Sequence, residues 1–160
     1  MRNISSIVAC IFGALFVVSG LWGISFTYTH ISQEQIVTPP DAAYPNTHVR
    51  GPLTLNAQAN IIRKHMLNMA QGKTYAELPR QIPQLDAQGQ PTINDQGQPV
   101  LIDNPTRNVW ITATSLMTAL HLGIIAYAVS ALTLALGCVM MWLGVIMHQL
   151  SLAPRTSKKA

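Results

Sequence analysis

Any chemistry in this chain would have to come from its five histidines, six carboxylates and two cysteines. The histidines are His30, His48, His65, His121 and His148. A non-haem iron centre needs two of them and a carboxylate converging on an open metal. No pair has the i, i+4 or H-x-E/D spacing that presents two ligands from one local element. The best set to assemble is His48, His65 and a carboxylate such as Glu77, drawn from separate stretches. Each histidine also has a plainer place. His65 sits beside Met66 at the edge of a helical pattern, His30 and His121 flank apolar runs, and His148 lies at the far end of one. The chain has no nucleophile elbow, C-x-x-C, phosphate-cradling glycine loop or C-x-x-C-H. Asp86 and Asp95 resemble a carboxylate pair but occupy turn sequence, where Asp is expected anyway. The residues therefore point to no catalytic group, no metal and no cofactor.

Two apolar runs must position everything else. Residues 109–153 contain no Asp, Glu, Lys or Arg. A bilayer core takes about 20 residues of helix, and this run is roughly twice that. Lacking Pro and strong turn signals, it reads as one helix rather than a hairpin. A helix over 114–148 would be on the order of 50 Å long, so part of it must stand outside the membrane. Residues 109–121, rich in Thr and Ser, are the protruding part; residues 122–148 are the embedded part. Tyr127 and Trp142 would then approach opposite headgroup layers. Gly123, Ser130, Gly137 and Gly144 recur every seven residues. That spacing keeps small side chains on one seam of a left-handed helix pair.

The other run, residues 6–28, exceeds the ~7–15 apolar residues of a secretory signal and has no A-x-A site after it. It reads as an uncleaved span whose outer end carries Trp22, Phe26 and Tyr28. Gly13 and Gly20 are again seven apart, and Ser19 with Gly23 makes a small-xxx-small pair. An antiparallel hairpin packed along these faces follows. No Asp, Glu, Lys or Arg lies in the embedded part of either span, where a proton or ion path would normally need a charged group.

The chain has 160 residues, 49% of them hydrophobic and only 10% charged, which is too apolar for an ordinary soluble domain. All six acids (Glu34, Asp41, Glu77, Asp86, Asp95, Asp103) lie between the runs. Arg50, Arg63, Lys64, Lys73, Arg80 and Arg107 balance them there. The net charge of +4 therefore resides in Arg2 at one end and Arg155, Lys158 and Lys159 at the other. By the positive-inside rule residues 1–5 and 149–160 are cytoplasmic and residues 29–108 extracytoplasmic. Charges that flank membrane segments give no reason to expect nucleic acid. Cys10 and Cys138 fall inside the apolar runs, where a thiol behaves as a small hydrophobe and cannot staple the exported segment.

Within that segment, residues 31–46 are broken by Pro39, Pro40 and Pro45 and read as extended chain and turns. Gly51-Pro52 opens a helix with Leu55, Ala59, Ile62, Met66 and Met69 on one side, ending near Gly72. Thr74 to Glu77 has the S/T-x-x-E form of a capping box that starts a short helix ended by Pro79 or Pro83. An internal echo follows, D-A-Q-G-Q-P from Asp86 and D-Q-G-Q-P from Asp95. It predicts a hairpin of Thr92-Ile93 with Val100-Leu101-Ile102. So small a segment needs an extra wall. Trp110, Leu116, Met117 and Leu120 would supply it against Leu55, Ile62 and Met66, making span and outer domain one rigid unit.

The stretches QEQIVTPPDA (33–42), GPLTLNAQANIIRKH (51–65), GKTYAELPRQIP (72–83) and RNVWITATSLMTALHLG (107–123) resemble a family of small actinobacterial two-pass membrane proteins. Members often carry the label aromatic ring-opening dioxygenase or hypothetical membrane protein. The resemblance runs in order from Gln33 onward and implies a plasma-membrane protein with its middle facing the envelope. It supplies no functional residues.

The fold expected is mainly α: a two-span transmembrane helical hairpin with a small extracytoplasmic α domain and a short β-hairpin. The function expected is a non-catalytic accessory or scaffolding subunit of a cell-envelope membrane complex. Its partners would be membrane lipid and a membrane protein or a second copy of itself. The alternatives are an envelope enzyme or ligand- or metal-binding protein with its site in the extracytoplasmic domain, and a self-associating channel. Bound iron or zinc, lost on His48→Ala and His65→Ala, would favour the enzyme or metal-binding reading.

Overall fold

The computed structural model describes residues 2–152. In order it contains α1 (Arg2–Gln33), α2 (Pro52–Met69), a single 3-10 turn (Tyr75–Glu77), β1 (Gln81–Pro83), β2 (Leu101–Asp103) and α3 (Pro105–Leu152). Arg155, Lys158 and Lys159 lie outside the described residues.

Both long helices exceed the apolar runs that suggested them. α1 continues past Tyr28 to Gln33, with its threonine hydroxyls turned back onto its own carbonyls. The Thr27 hydroxyl donates to the Gly23 carbonyl at 2.8 Å and that of Thr29 to Ser25 at 2.9 Å. The helix stops where Gln35 takes a φ of 50°. α3 begins at Pro105, ahead of the apolar run, and the cause is local. The Asn104 side-chain oxygen accepts the Thr106 N–H at 3.0 Å, a helix cap, and Pro105 at the first position has no N–H to leave unpaired. Its 48 residues make α3 about 72 Å long.

The chain divides into two compact units. The first comprises the residues up to Ile36, His48–Pro52 and the chain from Leu122 onward. α1 and the later turns of α3 form it. The Val49 N–H donates to the Ile36 carbonyl at 2.9 Å, and the Tyr127 hydroxyl donates to the Arg50 carbonyl at 2.6 Å. These two bonds tie the segment 48–52 into this unit.

The second unit comprises Val37–Thr47 and Leu53–His121. Its apolar interior contains Leu55, Ala57, Ala59, Ile61 and Met66 of α2, Ala70 and Leu78 beyond it, and Trp110, Ala113, Met117 and Leu120 of α3. The α3 residues follow helical 3-4-3 spacing and make a single stripe. Two expected core residues are absent from it, since Leu116 is 53% and Met69 59% exposed. Ile62 is only half-buried, and Ala57 and Ile61 are buried instead. The buried face of α2 is wider and turned relative to the expected stripe because a second element, the loop Val37–Thr47, also reaches it. Complete burial of Leu55 contributes roughly 1.5–3 kcal/mol.

That loop is organised by Thr38, which is 1% exposed. Its N–H donates to the Thr47 carbonyl at 3.0 Å, and its hydroxyl accepts the Thr47 N–H at 3.0 Å. The same hydroxyl donates to the Tyr44 carbonyl. One buried threonine thus closes a loop that three prolines keep out of regular structure.

α2 ends in a left-handed turn, Gln71 at φ 54° followed by Gly72 at φ 80°, and the Gly72 N–H donates to the Leu67 carbonyl at 2.7 Å. The Thr74–Glu77 motif then forms only one 3-10 turn, because Pro79 follows too closely for an α-helix. The Glu77 carboxylate accepts both the N–H and the hydroxyl of Thr74 at 2.7 Å. Those two bonds, the backbone N–H first, hold its pKa below the usual carboxylate value.

The strands correct the expected hairpin. β1 pairs antiparallel with β2 in the register Gln81–Asp103, Ile82–Ile102, Pro83–Leu101. Thr92-Ile93 is not a strand partner of Leu101-Ile102. Instead residues 85–92 (L-D-A-Q-G-Q-P-T) and 93–100 (I-N-D-Q-G-Q-P-V) form two successive turns of the same design. Asp86 Oδ1 accepts the N–H groups of Gln88 and Gln90, and Asn94 Oδ1 accepts those of Gln96 and Gln98. The bridges Leu85–Pro91 and Ile93–Pro99 close them. Gln84, Thr92 and Val100 then link in a ring: Thr92 N–H to Gln84 O, Gln84 N–H to Val100 O, Val100 N–H to Thr92 O, each 2.8 Å. Asn94, not Asp95, is therefore the structural equivalent of Asp86.

Candidate functional site: the small-residue seam and the polar clusters

In the first unit α1 and α3 meet where side chains are smallest. The described residues of α1 that are fully buried are Ser6, Gly13, Gly20 and Thr27, each seven after the last. On α3 Gly137 and Gly144 are buried, and Gly123 and Ser130 half-buried. A Cβ on Gly137 would fall 2.6 Å from Val17 N and 2.7 Å from Gly13 O. One on Gly20 would fall 2.7 Å from Leu134 N and 2.8 Å from Ser130 O. One on Gly144 would lie 3.1 Å from Ser6 O, and one on Gly23 would run into Ser130 Oγ. The pairing is antiparallel, residue 6 near 144, 13 near 137 and 20 near 130.

Between apolar helices in lipid there is no hydrophobic drive to associate, so close backbone approach and interhelical hydrogen bonds must hold the pair. Glycine permits the approach. Ser6 supplies the bond, its hydroxyl donating to the Gly144 carbonyl at 2.7 Å. Ser6 and Thr27 extend the seam beyond the residues expected to form it. The signal that finds them is the seven-residue step continued one place either side of Gly13 and Gly20.

The large apolar side chains point the other way. Ile11, Leu15, Trp22, Leu132, Val139 and Trp142 are all about half or more exposed. Both helices are long and apolar enough to cross a membrane. Trp22 stacks on Phe26, ring centroids 5.2 Å apart, and Phe26 lies 4.2 Å from the His30 ring. His30 is thus the end of an aromatic ladder. Cys10 is half-buried and Cys138 exposed, and both are free thiols.

Within the second unit His65 and Glu77 do not come together, and His48 belongs to the first unit. His65 instead meets Asp41, Nε2 to Oδ2 at 3.0 Å, and Lys64 donates to the same oxygen at 3.2 Å. Glu77 is engaged by Thr74. Among the described residues no three His, Cys, Asp or Glu side chains come together as a metal site. The Asp41 contact pins the loop Val37–Thr47 to α2. Its hydrogen bond with His65, aided by Lys64, holds the Asp41 pKa below the ordinary carboxylate value. A depressed carboxylate stabilises the folded state above its unfolded pKa, and that contribution is lost as pH falls through the folded one. Protease nicking at Tyr44 should therefore rise as the pH falls through the range in which Asp41 is protonated. Asp41→Asn should show the raised nicking at every pH; a variant with the parent's profile would remove the pinning role.

No family model, no curated protein and no solved structure matches this chain.

Proposed function

We propose that this is a two-pass plasma-membrane protein that serves as a non-catalytic accessory or scaffolding subunit of a cell-envelope complex. Both termini would be cytoplasmic and residues 29–108 extracytoplasmic, as the charge distribution and the resemblance to actinobacterial membrane proteins imply. One observation carries the reading. The helices use their glycines on each other and leave long rows of large apolar side chains facing outward. Apolar surface of that extent needs lipid or another helix against it.

Two experiments test it. Mild solubilisation of cross-linked cells should recover the protein with a membrane-protein partner, or a second copy of itself, at fixed stoichiometry. Recovery only as an unaccompanied monomer would overturn the scaffolding role. For topology, Gln96→Cys sits on an exposed turn. It should react with a membrane-impermeant maleimide in intact cells, with the parent chain as the blank for Cys10 and Cys138. Reaction only after lysis would refute the exported placement.

A further inference from the structure

We propose that the cleft beside the first turns of α3 is an oxyanion site, built to take a carboxylate or phosphate group between Arg80 and Arg107. The cleft holds about 220 Å³ and is lined by Tyr75, Arg80, Asp103, Arg107, Asn108 and Ile111, with the capping Asn104 at its edge.

Arg107 is the organised half of the site. Its guanidinium lies 4.0 Å above the centre of the Tyr75 ring. Its Nη1 donates to the Leu78 carbonyl at 2.6 Å and the Tyr75 carbonyl at 3.2 Å. A guanidinium has five N–H donors in a rigid plane. With Nη1 engaged, the Nε and Nη2 edge remains, and no acceptor among the described residues meets it. That edge is the fork that grips a carboxylate or phosphate through two parallel bonds. The side chain is therefore held in place before any ligand arrives, which removes the ordering cost that usually weakens an exposed arginine.

Arg80 is the second cation. Its carbonyl accepts the Asn104 N–H at 2.9 Å, which fixes its backbone next to β1. Its guanidinium makes no ion pair among the described residues, although Asp103 lines the same cleft. Two guanidinium groups against one carboxylate leave the cleft cationic. Its volume falls below the roughly 300–1,000 Å³ of sites that enclose a whole organic ligand. It suits a single anionic group, free in solution or at the end of a larger envelope molecule. Ile111 supplies an apolar edge and Asn108 an amide for what adjoins that group.

The test uses the full chain in detergent at low ionic strength, labelled with ¹⁵N and observed at the arginine Nε–H signals. Inorganic phosphate, acetate and a short glycerol phosphate oligomer are titrated separately. The expected result is a saturable shift of the Arg107 and Arg80 signals with at least one of them. Tighter binding of the oligomer than of inorganic phosphate assigns a polymer end as the source; the reverse assigns a free anion. Because the Arg80 guanidinium meets no acceptor among the described residues, Arg80→Gln should leave the fold intact and weaken binding about fivefold or more. Asp103→Asn should strengthen it. A purely structural role for Arg107 moves neither. Linear, non-saturating shifts, or affinities unchanged in both variants, would overturn the proposal.

Discussion

Replacing Gly137 with leucine should pull α1 and α3 apart. The Cβ alone would fall 2.6 Å from Val17 N and 2.7 Å from Gly13 O, and both are backbone atoms that no rotamer change can move. Overpacking of a close contact costs about 1–3 kcal/mol even where side chains can yield. Here the helices themselves must separate, losing the packing along the seam and the Ser6 bond to Gly144. The chain carries its own reporters: Cys10 is half-buried against Gly144, whereas Cys138 is exposed. In detergent, alkylation of Cys10 relative to Cys138 should rise several-fold in Gly137→Leu. Ala131→Leu, on an exposed part of the same helix, should leave the ratio at the parent's value. An unchanged ratio in Gly137→Leu would mean the seam does not hold the pair.

How much of this was legible beforehand depends on the range over which each signal acts. The apolar runs, the small-residue spacing and the start of α2 are local or periodic, and sequence carries such signals directly. Apolar content alone gives ends for the long helices that are too short. The structure carries α1 on to Gln33 and starts α3 at the Asn104-Pro105 pair. The second of these was present in the sequence as a cap followed by proline.

The turn region shows the opposite failure. The repeated Q-G-Q-P is plain in the sequence, but alignment on the two aspartates places the second copy one residue late. Asn94 performs the same turn chemistry as Asp86, since either side-chain oxygen can accept the two following N–H groups. Once the register is set by that chemistry, the strand assigned to Thr92-Ile93 becomes a bridge within a turn, and β2 pairs with β1 instead. Pairing across the seventeen residues between β1 and β2 has no local signature. The partnership of Asp41 with Lys64 and His65, and that of Arg107 with Tyr75 and Leu78, are non-local in the same way. Both depend on where a proline-broken loop or a strand ribbon comes to rest.

Trp110 is where the second unit should be most sensitive. It is 3% exposed, heads the buried stripe of α3, and is its largest side chain. Trp110→Ala should cost about 3–5 kcal/mol, a large share of the 5–15 kcal/mol that typically holds a small domain folded. Trypsin sites at Arg63 and Lys64 lie within α2, whose other face is buried in the same unit. Cleavage there should accelerate by more than tenfold in the alanine variant. Trp110→Phe separates volume from polarity, because the indole Nε1–H meets no acceptor among the described residues. Removing that donor while keeping most of the ring should leave cleavage within about fivefold of the parent, a change of roughly 1 kcal/mol. Should Trp110→Phe be as fragile as Trp110→Ala, the indole N–H would have to be making a bond on which the unit depends.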